Sequence, residues 1–396
     1  MSRVLAIMPC LPFPAFDGQT HRLSHTVRSL ARAHDVSLAC MVRYEQKAEM
    51  PADLAPLFHE VKLVPITEPS QAILSKIRRR MSDDPLDVFR FNAPEMHAHI
   101  RRVIPEFDPE VILLGDPALA QYLPERTDAV VALDYVCEVV LQLERLRDLA
   151  PATQRPLWDA RRKKFVRFLD RIRDRIDITF LNSREDLESL ERYWAPETLH
   201  HIANGLELDS YPTGLAEPQP NRLIYPGSVR YPPNRDAVEW FANAILPKIR
   251  AERPDVEFRV TGSYDDDAPQ AEGLVYTGRV EDVRAEISAA WATVVPLRLG
   301  AGGARFKVIE SLALGTPIVG TDIGTEGLKL EDGVDYLHAE TEEEIAQACL
   351  SLLRDPARRA ALAQGGRARM EESYSWDRLF AQIDALLQAQ TRRIAA

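Results

Sequence analysis

Short, continuously apolar runs rich in Val and Ile alternate with long helical patterns along nearly the whole chain. This alternation constrains the fold more than any other feature of the sequence. The predicted strands are Val4–Met8, Val36–Val42, Val61–Ile66, Val111–Leu114, Val130–Asp134 and Ile178–Asn182, then Leu223–Tyr225, Glu257–Thr261, Leu274–Tyr276, Thr293–Pro296 and Pro317–Gly320. A run that is apolar at every residue, rather than at every second one, belongs to a strand covered on both faces. Such strands separated by helices predict an α/β architecture with parallel sheets. Eleven of them exceed one doubly wound domain and suit two.

The break between the halves falls at residues 211–221, YPTGLAEPQPN, which carry three prolines and no apolar periodicity. The predicted division is a first domain over 1–204, a linker over 205–221 and a second domain over 222–375. A last amphipathic helix follows from 376, with Leu379, Phe380, Ile383, Leu386 and Leu387 on one stripe.

Charge narrows the choice of function. The chain has 49 basic and 60 acidic residues, a formal net charge of −11, which argues against general binding to nucleic acid. Cys10, Cys40, Cys137 and Cys349 have no metal-ligand spacing and form no disulfide framework. No window approaches the roughly 18 apolar residues of a membrane span. The first residues, MSRVLAIMPC, read as a strand rather than a signal peptide, so a cytoplasmic location is expected. One stretch breaks the acidic average: residues 155–175 carry nine Arg or Lys against three Asp. Phe165, Phe168, Leu169 and Ile172 recur there at helical spacing. Either this helix rests on an anionic membrane surface, or its stripe packs onto the first sheet. The basic run SKIRRRM at 75–81 would extend such a patch.

The densest chemical signal is LGAGGARFKVIESLALGTPIVGTDIGTEG at 299–327. Gly300, Gly302 and Gly303 form a loop that allows close backbone approach, and a helix is predicted from about Ala304 to Leu314. Gly315 suits its C-terminal cap, and Pro317 stops it. A glycine loop opening into a helix N-terminus is a ready anion site. Arg305 and Lys307 would sit in the first turn, where the helix dipole disfavours cations, so an anionic ligand is expected there. Glu310 shares a face with Lys307; it is placed either to accept two sugar hydroxyls or to make a plain i,i+3 ion pair. The spacing fits neither the P-loop nor the dinucleotide GxGxxG, whose last glycine is Arg305.

Two further loops are candidates. PCLPFPAFDGQTHR ends at Gly18 before a helix, with His21 in its first turn as either a functional or an inert histidine. In YPGSVRYPPNRDAVEWF, Gly227 and Ser228 end a strand and would line a cleft, while Asn234 is expected to cap the next helix. Asp134, ending VVALDY, would orient a hydroxyl or cap a helix.

Taken together, the Gly18 loop, NSRED (182–186), NGLELD (204–209), YPGSVRYPPN (225–234), YTGRVEDV (276–283) and the 300–328 segment resemble family 4 glycosyltransferases of GT-B type. The nearest variety is the sugar transferases of exopolysaccharide clusters. The resemblance implies two doubly wound Rossmann-like domains facing across a cleft, with a nucleotide-sugar donor on the second and a glycan or lipid-linked acceptor on the first. It implies transfer with retention, no metal or other cofactor, and work at the inner face of the membrane. The last helix would cross back onto the first domain. Carried over by position, Glu310 holds the donor ribose, Lys307 and Arg305 face the diphosphate, Gly18 approaches the phosphates and Val280 borders the base. One departure is plain: Gly302 stands where the family's first glutamate would be, and SVRYPPN replaces the usual Arg…Lys-Gly pair. A catalytically degenerate GT-B binding protein and a nucleotide-sugar epimerase share the scaffold and are the alternatives.

Overall fold

A computed structural model describes the chain apart from residues 16, 44–48, 67–80, 301–304 and 396. It divides into two compact units. The first comprises Met1–Ile202 and the end of the last helix from Phe380; the second runs from Ala203 through Leu379.

The first unit carries a seven-stranded parallel sheet in the order β3-β2-β1-β4-β5-β6-β7. Its strands are β1 (Arg3–Met8), β2 (Asp35–Arg43), β3 (Glu60–Ile66), β4 (Val111–Leu114), β5 (Val130–Tyr135), β6 (Ile178–Leu181) and β7 (Leu199–His201). Strands β4, β5 and β6 are buried at every residue, as expected where helices cover both faces. The second unit carries a six-stranded parallel sheet, β10-β9-β8-β11-β12-β13. These strands are β8 (Arg222–Pro226), β9 (Glu257–Thr261), β10 (Leu274–Gly278), β11 (Ala292–Val295), β12 (Ile318–Gly320) and β13 (Leu337–His338). All eleven predicted strands are present. The two absent from the sequence reading, β7 and β13, are edge strands of three and two residues, too short to leave a periodicity.

Strand order reverses direction between β1 and β4 in one sheet and between β8 and β11 in the other. Loops leaving the carboxyl ends of such a pair diverge and open a crevice, which is where ligands sit in open parallel sheets.

The segment read as a linker, 205–221, lies inside the second unit. Leu206 exchanges backbone hydrogen bonds with Tyr374 and Trp376, and Leu206 and Tyr211 are buried. The basic helix Arg155–Ile172 packs its apolar stripe, Phe165, Phe168, Leu169 and Ile172, into the first unit's core. The membrane reading therefore cannot rest on that stripe. Residues 75–80 of the second basic run lie outside the described residues. Among the described residues, no helix is long and apolar enough to cross a membrane.

Candidate functional site

The second unit's switch point gathers most of the singled-out residues. β8 ends at Pro226 and delivers Gly227 and Ser228; β11 ends at Val295 and leads towards the helix Phe306–Ala313. That helix is shorter than predicted: it starts at Phe306, with Arg305 at its N-cap, while Ala304 lies outside the described residues. It ends as its sequence demands. Gly315 adopts φ +74°, its N–H bonds Leu312 O, and Thr316 N–H bonds Ser311 O. This pair of bonds is the Schellman arrangement, and it needs the glycine. Gly302 and Gly303 lie outside the described residues.

Lys307 and Glu310 share one helix face, yet no ion pair joins them among the described residues. The Lys307 ammonium donates to Asn234 Oδ1 (3.1 Å) and stands 3.8 Å from the centre of the Tyr225 ring. Burial, reinforced by Arg305 and opposed by Glu310, pushes its pKa well below the usual lysine value. A Cβ on Gly227 would come within 2.9 Å of both Lys307 Nζ and Asn234 Nδ2, so a larger residue there would crowd the lysine. Gly262, at φ +93°, lets the neighbouring loop lie against Ser228, whose backbone nitrogen a Cβ would meet at 2.8 Å. Ser228 itself donates its hydroxyl to Ser263 O.

Glu310 is buried and accepts a hydrogen bond on Oε1 from the Tyr211 hydroxyl (3.0 Å). Desolvation lifts its pKa to about 7, against the lowering effects of Tyr211, Arg284 and Lys307. A buried carboxyl poised near neutrality and an ammonium held down by burial, three residues apart, mark a site rather than a surface.

Three expectations are corrected. Asn234 does not cap its helix: Pro232–Trp240 begins two residues earlier behind Tyr231. Asn234 instead knits the site together, accepting from Tyr225 OH (2.6 Å) and Lys307 and donating to Ser228 O (2.9 Å). Arg305 is not committed to a ligand anion; it pairs with Glu326 at 3.2 Å and donates to Ile323 O. The chain's own carboxylate meets the charge that the dipole argument left over. Asp134 neither caps a helix nor offers an accessible oxygen. It is fully buried, bonded by Arg22 Nε (2.6 Å) and Thr26 Oγ1 (3.0 Å).

In the first unit, Gly18 opens the helix Gly18–Ala33 behind Asp17, which forms a capping box with Thr20. His21 sits in that first turn, partly exposed, its pKa lowered by burial against the opposing charge of Asp17. Val280 is partly exposed in the segment after β10. Sequence reasoning missed Asp116, at the carboxyl end of β4, whose pKa burial raises to about 7. Tyr211 and Arg284 were missed as well, because one lay in an apparent linker and the other in an ordinary surface helix. Of possible metal ligands, Asp322, His338 and Glu340 come within 4.8 Å of one another, but all are exposed and His338 Nε2 already meets both carboxylates.

Residues 220–355, which contain this site, match the family of glycosyl transferases group 1. Over 163 residues the chain is 27% identical to the GDP-mannose-dependent monoacylated alpha-(1-6)-phosphatidylinositol monomannoside mannosyltransferase of Corynebacterium glutamicum, covering 37% of this chain and 42% of that protein. The chain spans about half the length of the curated relatives it matches, 42% and 54%. Solved structures extend the likeness to the whole chain. Sucrose-phosphate synthase from Thermosynechococcus elongatus superposes with a TM-score of 0.70 at 16% identity, covering 99% of this chain and all of that one. Anabaena HepE in complex with UDP-glucose gives 0.65 at 14% identity, covering 98% and 100%. The fold of the chain is accordingly GT-B.

Proposed function

We propose that this protein transfers a sugar from a nucleoside-diphosphate donor to a glycan or lipid-linked acceptor, with retention, in the synthesis of a surface or extracellular polysaccharide. The observation that carries the reading is the second unit's switch point, where Gly227, Lys307 and Glu310 meet inside a domain matching the glycosyl transferases. A diphosphate would lie over Gly227 and the start of the helix Phe306–Ala313, within reach of the Lys307 ammonium. Glu310 would take the ribose hydroxyls on the oxygen that Tyr211 leaves open. As the sugar departs, charge grows on the diphosphate, and Lys307 with the helix amides would stabilise it in place of a metal ion. Turnover is therefore expected to survive a chelator. A GDP-mannose-dependent relative and a HepE complex with UDP-glucose support this class of donor.

For the acceptor, a lipid-linked molecule at the inner membrane face fits Leu146, Leu149 and Leu157, which are 38%, 54% and 54% exposed beside the basic helix. Vesicle sedimentation with anionic lipid tests this: absence of binding at low salt removes the membrane contact.

The deciding experiment is a thermal-shift screen with UDP, GDP, ADP and their sugar conjugates, on wild type and Glu310→Ala. A ligand at about 100 times its Kd adds about 2.7 kcal/mol. One nucleotide that stabilises only the wild type establishes the donor class and site. Gly302, where the family's first glutamate would be, favours a second reading, a sugar-nucleotide-binding protein without turnover. Binding without transfer would select it.

A further inference from the structure

Tyr211 belongs to the proline-rich segment that separates the two sheets, yet the second unit holds it from three sides. Arg367 Nη1 donates to Tyr211 O (2.6 Å) and also to Ala313 O (2.6 Å), the last residue of the helix that carries Glu310. Arg284 donates from Nη1 to Ser210 O (2.6 Å), and its guanidinium lies 5.8 Å from the centre of the Tyr211 ring. Asp282 fixes Arg284 at 2.8 Å. So anchored, the phenol donates to Glu310 Oε1 at 3.0 Å. Among the described residues no other side chain donates to either Glu310 oxygen.

We propose that Tyr211 is a positioning residue for the donor site: its hydroxyl occupies Glu310 Oε1 and orients the carboxylate so that its other oxygen is presented to the ligand's ribose hydroxyls. The inference rests on the donor-site reading above.

The physics is that of a buried carboxylate. Out of water it is stabilised only by the groups that face it, which are Tyr211, Lys307 on its own helix and Arg284, with Asp282 acting against them. A phenol that donates to the charged form lowers the proton affinity of that form. Removing only the hydroxyl should make Glu310 easier to protonate. The protonated carboxyl has one acceptor oxygen fewer to offer a diol. Nucleotide affinity should then fall away at a higher pH in the variant than in the wild type. A merely structural tyrosine would alter stability without moving that midpoint.

The test is calorimetric Kd for UDP and GDP from about pH 5 to about pH 9, with wild type, Tyr211→Phe, Glu310→Ala and Glu310→Gln. Phenylalanine keeps the ring under Arg284, and its backbone carbonyl remains available to Arg367, so the variant should fold. Should it fail to fold, Arg284→Lys, which keeps a positive charge beside Asp282 but removes the guanidinium that lies over the ring and bonds Ser210 O, loosens the phenol and gives the same reading with a smaller shift. The expected result is a binding midpoint about half to one pH unit higher in Tyr211→Phe, with affinity below that midpoint reduced about threefold to tenfold. In the Glu310→Gln background Tyr211→Phe should produce no shift, because the amide does not titrate. Wild-type and Tyr211→Phe profiles that superimpose, while Glu310→Ala has lost binding, overturn the role of Tyr211 and leave the donor site intact. Full affinity in Glu310→Ala, or no nucleotide bound by the wild type, overturns the donor-site reading and this inference with it.

Discussion

Two charged clusters, one in each unit, show how the same residue types serve opposite ends. In the first unit Arg22 and Asp134 have no exposed side-chain surface, and their 2.6 Å contact is completed by Thr26 and by Ile202 O. That cluster ties the helix Gly18–Ala33 to β5 and to the chain beyond β7, and it leaves no approach for a ligand. In the second unit Lys307 and Glu310 sit three residues apart and decline to pair. The lysine turns to an amide and an aromatic ring, and the glutamate to a phenol. Each is held by neutral partners, and burial pushes both towards their uncharged forms. Buried charges matched to each other build the frame, whereas the pair at the second unit's switch point is partnered by an amide, a ring and a phenol.

Four substitutions test this contrast, from the largest expected effect to the smallest. Asp134→Ala leaves Arg22 buried without its counter-charge and should cost about 3–5 kcal/mol in denaturant unfolding. A cost below about 1 kcal/mol would show that the pair is not architectural. Lys307→Met should behave in the opposite sense. It removes an ammonium already disfavoured by burial, so the free protein should be no less stable, while kcat/KM falls about 10²–10³-fold. A large loss of melting temperature with unchanged turnover would place Lys307 with Asp134 in the frame.

The third prediction concerns pH. In the unfolded chain Glu310 ionises near the ordinary glutamate value of 4.5, but in the fold only at about 7. Between those values the native state holds the extra proton, so this group's contribution to stability is present at low pH and is lost as pH rises. The loss is complete once the folded group has ionised and amounts to at most about 3 kcal/mol. Stability of Glu310→Gln relative to wild type should thus increase over that window, and a flat difference would contradict it. Last, Arg298→Ala breaks an exposed pair with Asp236 and a stacking contact 4.7 Å from the Trp240 ring centre. Its cost should stay within about 1 kcal/mol, with nucleotide binding unaffected.

The candidate site was legible only in part, and the particular residues say why. Lys307, Glu310 and Gly315 could be picked out because helix period, capping chemistry and the helix dipole are local. Glu326, the partner of Arg305, is 21 residues away in sequence, and Tyr211, the partner of Glu310, is 99 away. No spacing rule joins such pairs. Asn234 was read as a cap because asparagine before a helix usually is one; tertiary packing moved the helix start to Pro232 and gave the amide to Lys307 and Tyr225.

By itself the sequence determined that this protein would build two parallel α/β sheets, because an apolar run buried on both faces can be recognised without knowing its neighbours. It also determined where the helix of Lys307 and Glu310 would stop, since Gly315 and Pro317 act within one turn. Tertiary structure alone decided which charges close on each other and which remain available. That depends on how much water each group loses and on which distant side chain replaces it, and both are set only when the chain has packed.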